Sequence, residues 1–500
     1  MTSKELVSTF FTKESEEQVG DKLLITYLCS CGRRRVQNPK TGYGNLVSHI
    51  KTDHHDWQEI MKAKNNKNPS AFVNKKGANI FKWLEWIVIA NLPFQFVEHP
   101  LTKKNSSLDS ITDETIKKYL FLVTENVEKR IADDLPDKFG IIIDGWKDGT
   151  THYIAIFASY SDANGEGQYP LLSIAPPYDE QSFTAETHKA YIIDVLELFG
   201  KGLSSLVYLV GDNAPVNTCL SDLLEVPFIG CASHRFNLAC KQYLEQYEET
   251  LSKISRLMVT LRNVKQAGKL RTKTKLSAVL RNDTRWSSTF LMLKRFFEIK
   301  DFIDTSDRTL AANLPSGLEV VTLQEVMKDL EEFEDATKLL QDSKRTLLEV
   351  RAIFDGLLEN YPSMHHYISG ESNFVHSPAF ENGIFKVQSE QLDDILEEEK
   401  ELLEPFLQRN IPTLVSPTKP TSVSAQALSR IKRRKVTAKY VSLEHIPPTS
   451  NIVERLFSAA RLVLTDYRKS MDPYTFECLM FLKVNRSKWD INLVSKLVGK

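Results

Sequence analysis

The feature that most constrains this fold is a change of rhythm at residue 139. Residues 139–144, 151–160 and 169–175 are short β-rich runs separated by Gly and Asp turns, and they read as a three-stranded antiparallel meander. A helix is expected at about 184–199 and a fourth strand at 205–211. A second helix is expected from Ala214-Pro215, with proline at a permitted first-turn position, and a fifth strand at 226–230, ending at Cys231. From His234 to about 410 nearly every segment reads as helix, and residues 450–487 are helical again.

The order β-β-β-α-β-α-β followed by helices is that of a ribonuclease-H-like domain. The expected fold class is α+β: a ribonuclease-H-like mixed sheet, interrupted by a large all-α insertion and preceded by a small zinc finger and a helical domain. Expected boundaries are 21–60 for the finger, 79–135 for the helical region and 136–236 for the first part of the sheet domain. The insertion follows at 237–410, a basic flexible linker at 411–440, and a region at 441–490 that completes the sheet domain. Residues 1–20 read as polar and loose. Ile80, Trp83, Leu84, Ile87 and Val88 recur at helical spacing before Asn91-Leu92-Pro93 breaks the helix.

Three acidic residues stand out. Asp144 ends the apolar run from Phe139, Asp212 ends the run from Leu206, and Glu454 opens an amphipathic helix after Pro447-Pro448-Thr449-Ser450-Asn451. Each has an ordinary explanation. The two aspartates suit turns at strand ends, Asp212 or Asn213 suits a helix cap, and Asn451 with Glu454 suits a capping box. Together they sit where this fold would gather metal ligands. Carboxylates suit Mg²⁺ or Mn²⁺, and a pair of such ions ~4 Å apart suits phosphodiester cleavage.

Near the N-terminus, Cys29 and Cys31 precede His49 by a fixed interval, and His54 or His55 follows. Two thiolates and two imidazoles close a tetrahedral structural zinc site, and a module this small needs such a staple. The single residue between the cysteines is a tighter bite than zinc fingers usually have. His54 is preferred to His55 for its spacing. Arg33, Arg34, Arg35 and Lys40 make the module basic, Asn45 suits the N-cap of its helix, and Trp57 is placed to cover the site.

The net charge of −1 hides uneven blocks. Residues 22–76 carry 11 Lys/Arg against 3 Asp/Glu, and residues 251–300 carry 13 against 2, whereas residues 319–404 carry 7 against 21. The basic blocks suggest a polyanion partner; the acidic block reads as solvated helix faces. Six cysteines are too few for a disulfide scaffold, and no apolar stretch has signal-peptide or membrane-spanning length. An intracellular, reducing setting is expected, with no membrane and no small-molecule substrate. Arg430-Ile431-Lys432-Arg433-Arg434-Lys435 suits a nuclear-localisation patch or a DNA-backbone contact.

Several motifs resemble those of the hAT family of DNA transposases. Asp144-Gly145-Trp146 and Gly211-Asp212-Asn213-Ala214 resemble the surroundings of its first two catalytic aspartates. Cys231-Ala232-Ser233-His234 resembles its C-x-x-H motif, and Asp283-Thr284-Arg285-Trp286 its Arg-Trp motif. Thr449-Ser450-Asn451-Ile452-Val453-Glu454-Arg455-Leu456-Phe457-Ser458 resembles its C-terminal signature, and the finger resembles its BED-type finger. The resemblance implies that Asp144, Asp212 and Glu454 hold Mg²⁺ or Mn²⁺ for cleavage and strand transfer. It implies that His234 and Arg285 serve the DNA strand, that Trp286 stacks on a nucleotide, and that the Zn²⁺ finger with Arg33, Arg34 and Arg35 binds DNA. It implies a helical DNA-binding or dimerisation region at 79–135, C-terminal helices that join subunits into a homo-oligomer, and a nuclear location. The alternative is a domesticated, non-catalytic DNA-binding regulator that keeps the finger and dimer but not the chemistry. Cys231 with His234 as a strand-end pair, and Trp286 as a core aromatic, remain open readings of the residues alone.

Overall fold

The computed structural model describes every residue except 1–2, 20–21, 39–41, 55–56, 59–60, 62–73, 283, 409–439, 466–467, 469–470 and 499–500. His55, Lys40, Asp283, nearly all of the basic linker and the Arg430–Lys435 patch therefore lie outside the described residues. The chain divides into two compact units, Met1–Val127 with Asn485–Lys500, and Glu128–Val484.

The first unit opens with a small α/β module. Helix α1 (Ser3–Phe10) leads into strands β1 (Phe11–Val19), β2 (Lys22–Cys29) and β3 (Arg34–Gln37), an antiparallel sheet in that order, followed by helix α2 (Gly44–Asp53). Residues 1–20, expected to be loose, are instead largely structured. The polar run 12–18 pairs with β2 along its length, and Leu6, Val7, Phe10 and Phe11 supply half of the module's core beside Cys29, Leu46, Ile50 and Met61. Period-2 and period-3.6 patterns are hard to see in so short and polar a stretch, which is why it read as loop. Asn45 is not the N-cap of α2; Tyr43 is, and the Asn45 amide donates to the Val36 carbonyl at 2.7 Å. Further on, α3 (Lys75–Ile89) starts under the Asn74 side chain and ends where Asn91 turns left-handed (φ 54°). Helix α4 (Asp113–Asp134) carries the chain onward.

The second unit holds the expected sheet. Strands β4 (Phe139–Asp148), β5 (Thr151–Ser161), a two-residue β6 (Gly167–Gln168) and β7 (Leu171–Ala175) are joined by β8 (Leu206–Gly211) and β9 (Phe228–Gly230). β5 pairs antiparallel with β4 and β7, while β4–β8 and β8–β9 are parallel. The order β7-β5-β4-β8-β9 is ribonuclease-H-like, an antiparallel meander extended by two parallel strands. Helix α5 (Ala185–Leu198) connects β7 to β8 and α6 (Pro215–Leu224) connects β8 to β9, because parallel neighbours need a crossover. β4 runs four residues beyond the expected end at 144, pairing Asp144 with Ala155 and Asp148 with Thr151. Asp144 is therefore an in-strand residue and not a turn former.

The insertion is all-helical. Its core is built by α7 (Ala232–Glu245), α8 (Glu248–Leu261), α9 (Trp286–Ile299), α10 (Gly317–Leu340) and α11 (Leu347–Asn360), around Phe236, Leu257, Leu293, Phe296, Phe333 and Phe354. Local sequence explains two starts: Ser316 with Glu319 and Thr346 with Glu349 form reciprocal capping boxes on α10 and α11. The chain then returns to the sheet through α12 (Pro378–Gln388) and, after the linker, α13 (Asn451–Val463) and α14 (Pro473–Val484).

The return is held by backbone and buried polar contacts. The His445 carbonyl accepts from Ser159 Oγ and Tyr169 Oη at 3.0 and 2.9 Å. Ala232 N donates to the Pro448 carbonyl at 2.9 Å, and Ser450 N to Cys231 Sγ at 3.3 Å. Asn451 Nδ2 donates to Ser233 Oγ and to the Leu340 carbonyl, each at 3.0 Å.

Candidate functional site

The acidic site forms where three elements meet. β4 and β8 are parallel neighbours with Ile142 opposite Val210. Two residues on from that pair lie Asp144 and Asp212, at the same end of neighbouring strands about 4.8 Å apart. Asp212 sits one residue past the end of β8, half-buried. Its carboxylate accepts from Asn217 Nδ2 at 2.6 Å and from Ala214 N at 3.2 Å, so it also satisfies the open start of α6. Gly230 leaves room for the neighbouring Asn213 side chain, since a Cβ there would lie 2.3 Å from Asn213 Nδ2.

Glu454 arrives on α13. Val453, Leu456, Phe457, Ala460 and Val463 form the buried face of this helix. Phe457 stacks on Trp146 of β4 (centroids 5.6 Å, 27°), and Trp146 in turn stacks on Tyr153. Glu454 lies three residues before Phe457, one turn away on a neighbouring face, so this stack brings it beside β4. The expected capping box is absent. Ser450, not Asn451, is the N-cap, and Asn451 is committed to the insertion.

Asp144 feels the charges of both other carboxylates. Asp144 is pushed up to about 7, first by burial and then by the charge of Asp212. Glu454 adds to the rise, while the Gly145 N–H and the Arg285 guanidinium oppose it. Repulsion at Asp144 is what a divalent cation relieves, and three carboxylates suit Mg²⁺ or Mn²⁺ by donor type, although their oxygens are not all gathered within 4.8 Å of one another.

Arg285 is the non-acidic member of this cluster. Its Nη2 donates to Glu454 Oε2 at 2.5 Å across 169 residues of sequence. The turn that carries it is fixed by hydrogen bonds. Asn237 accepts from Trp286 N at 3.1 Å and donates to the Thr284 carbonyl at 3.3 Å, while Ser288 Oγ lies within hydrogen-bond reach of the Asn282 and Arg285 carbonyls and donates its one proton to either. A cavity of about 140 Å³ opens here, lined among others by His234, Arg285, Thr337, Asn451 and Glu454. His234 is half-buried on its wall, four residues after Gly230.

Trp286 is a core aromatic, which corrects the stacking role expected for it. It is 4% exposed and packs edge-on to Phe333 in the insertion core. It contributes to the cavity wall, but with so little exposed surface it is a packing residue first. Asn237, Thr337 and Asn451 were not singled out as wall residues by sequence reasoning. Asn237 had one available signal: it lies three residues beyond His234 on α7, one turn along the same face.

In the first unit, Cys29, Cys31, His49 and His54 come together. Their ligand atoms all lie within 4.8 Å of one another, and theirs is the one group of three or more metal-ligand residues so placed among the described residues. Cys29 Sγ is 3.1 Å from His54 Nε2 and Cys31 Sγ is 3.4 Å from His49 Nε2. The tight Cys-x-Cys bite is made by a turn in which Gly32 takes a positive φ of 83° and Cys29 N donates to the Arg33 carbonyl. Burial pushes the Cys29 thiol up, whereas a backbone hydrogen bond from Arg33 holds Cys31 below its ordinary value. Asp53 Oδ2 lies 2.5 Å from His49 Nδ1, the carboxylate–imidazole arrangement that orients a zinc ligand. The donor set fits Zn²⁺. Trp57 packs against the module's apolar core. Arg33 is paired with Asp53 and Arg34 bidentately with Glu14, while Arg35 is exposed.

No family model matches this sequence, and no curated protein matches it. Among solved structures the chain is similar to the Drosophila P element transposase strand transfer complex. The two share 13% identity over 91% of this chain and 100% of that one, with a TM-score of 0.32. At that score the overlap is too loose to bear on function, which rests here on the strand order and the site.

Proposed function

We propose that the chain is a transposase-like DNA-processing protein of the hAT type. Its second unit cleaves and rejoins phosphodiester bonds, and its zinc finger binds DNA. The observation that carries this reading is the convergence of Asp144, Asp212 and Glu454 from β4, β8 and α13, with Arg285 beside them. Mg²⁺ or Mn²⁺ held by the three carboxylates would stabilise charge developing at the scissile phosphate and activate the attacking oxygen.

The chain's own residues do the rest. Asp144 is held in β4, and Asp212 follows β8 directly and is tied down by Ala214 N and Asn217 Nδ2, so both are positioned before substrate arrives. Glu454 rides on a separate helix and completes the set. Arg285 and His234 face the same cavity and orient a phosphate by charge and hydrogen bonding. Water attacks first and a liberated 3′-hydroxyl second, without a covalent protein intermediate. The basic segment 262–285 of the insertion extends this charge: Lys265, Arg271 and Lys275 are exposed with no ionic partner among the described residues. Homo-oligomerisation through the C-terminal helices and a nuclear location belong to the same proposal.

The test is the purified, zinc-loaded full chain with Mg²⁺ or Mn²⁺ and a plasmid carrying the gene's own genomic flanks. Metal-dependent nicking that Asp144→Ala abolishes is expected. Equal nicking by the variant, or none by the wild type, would overturn the catalytic reading and leave a DNA-binding regulator.

A further inference from the structure

The Arg285–Glu454 ion pair does something the catalytic reading does not require. Glu454 is the one carboxylate of the three that is not built on the sheet, and it is the one engaged by a cation of the chain itself. Arg285 begins α9 as its N-cap residue, with an extended backbone (φ −134°, ψ 134°) that aims its side chain away from the helix it starts. The Asn237, Asn282 and Ser288 network holds that turn, so the guanidinium is delivered to a set place. The pair is solvent-accessible, with Arg285 60% and Glu454 39% exposed at the side chain. Only Nη2 of Arg285 is engaged; its other N–H groups have no partner among the described residues. The guanidinium thus occupies one of the three carboxylates that the catalytic reading gives to the metal.

We propose that Arg285 is a positioning residue that stands in for the metal. In the free protein it clamps Glu454 in the cavity, and when DNA binds it transfers to a backbone phosphate and releases Glu454 to the Asp144–Asp212 pair. This rests on the metal-binding reading above. The chemistry is an exchange of one anion for another on a planar donor fork, and guanidinium donates to carboxylate and to phosphate with the same geometry. The clamp is weak because it is exposed, so a phosphate or a divalent cation can displace it. Metal and DNA then favour each other: each removes a competitor of the other, and the coupling is reciprocal.

The test is Mn²⁺ binding to the zinc-loaded full chain, followed by electron paramagnetic resonance of free Mn²⁺. Removing the clamp with Arg285→Gln should tighten Mn²⁺ binding about threefold to fivefold, the range an exposed ion pair supports. Arg285→Lys, which keeps the charge, should stay near the wild type. A short DNA duplex should tighten Mn²⁺ binding in the wild type more than in Arg285→Gln, by a similar factor. A residue that merely shaped the fold would weaken metal binding when replaced, not strengthen it. Unchanged or weaker Mn²⁺ binding by Arg285→Gln overturns the clamp. Equal Mn²⁺ binding by the wild type and Asp144→Asn would instead remove the metal site itself, and the clamp with it.

Discussion

Asp144→Asn should stabilise the metal-free protein, and the gain should grow with pH. The side chain of Asp144 is half-buried beside two other carboxylates, and its proton affinity rises from an ordinary 3.8 to about 7. The native state therefore holds this proton more tightly than the unfolded chain does. Its contribution is fully present below pH ~4 and is lost as pH rises towards ~7, because ionising the group costs more in the fold than out of it. About 3 units at 1.36 kcal/mol each set an upper bound near 4 kcal/mol at pH 8 and above. Near pH 5.5 the difference is about half of that. Asn keeps the acceptor for the Gly145 N–H, which Asp144 Oδ1 receives at 2.8 Å, and it carries no charge at any pH. Denaturant unfolding of the sheet unit, with zinc retained and magnesium omitted, should show matching midpoints near pH 4 and a clear advantage for Asp144→Asn near pH 8.5. Saturating Mg²⁺ should close the gap by stabilising only the wild type. Identical midpoints at both pH values would refute the claim that burial and repulsion are stored at this carboxylate.

Three further outcomes follow from other parts of the fold. Cys29→Ser should cost the chain its zinc, about one ion released per chain, read by a colorimetric chelator, with α2 melting in circular dichroism. Arg235→Met should destabilise the second unit by about 3 kcal/mol in urea unfolding, since a buried carboxylate then loses its cation. The guanidinium of Arg235 lies 3.7 Å from Glu381 and also donates to the Tyr367 and Ser369 carbonyls. Adding Glu381→Leu should recover much of that loss. Asn451→Ala removes two hydrogen bonds that tie α13 to the insertion and should cost about 2 kcal/mol, with faster amide exchange in α13 than in β4.

Much of the fold was legible in the chain because β-rich runs and helical periods are local signals. The strands came within a few residues, and the parallel crossovers followed from their order. The misreadings share a physical cause. β1 has too little apolar content to announce itself, yet pairing with β2 gives its polar backbone partners. Asp144 looked like a strand end because its apolar run stops there. β4 in fact continues to Asp148, its pairing set by β5 and not by hydropathy. Glu454 and Asn451 matched a capping box by spacing, yet both side chains are claimed by residues far away in sequence.

The sequence alone determined the composition of two sites: two thiols and two imidazoles in one short module, and three carboxylates on a mixed sheet with a late helix. The donor types and the chemistry they suit were fixed at that level, because they depend on residue identity. Only the tertiary structure decided what each side chain does. It buried Trp286 in the insertion core, gave Glu454 to Arg285, and drove Asp144 towards neutrality through burial and the charge of Asp212. Those outcomes depend on distance and solvent exclusion between residues 68 to 310 positions apart (Asp144, Asp212, Arg285, Glu454), and no local pattern encodes them.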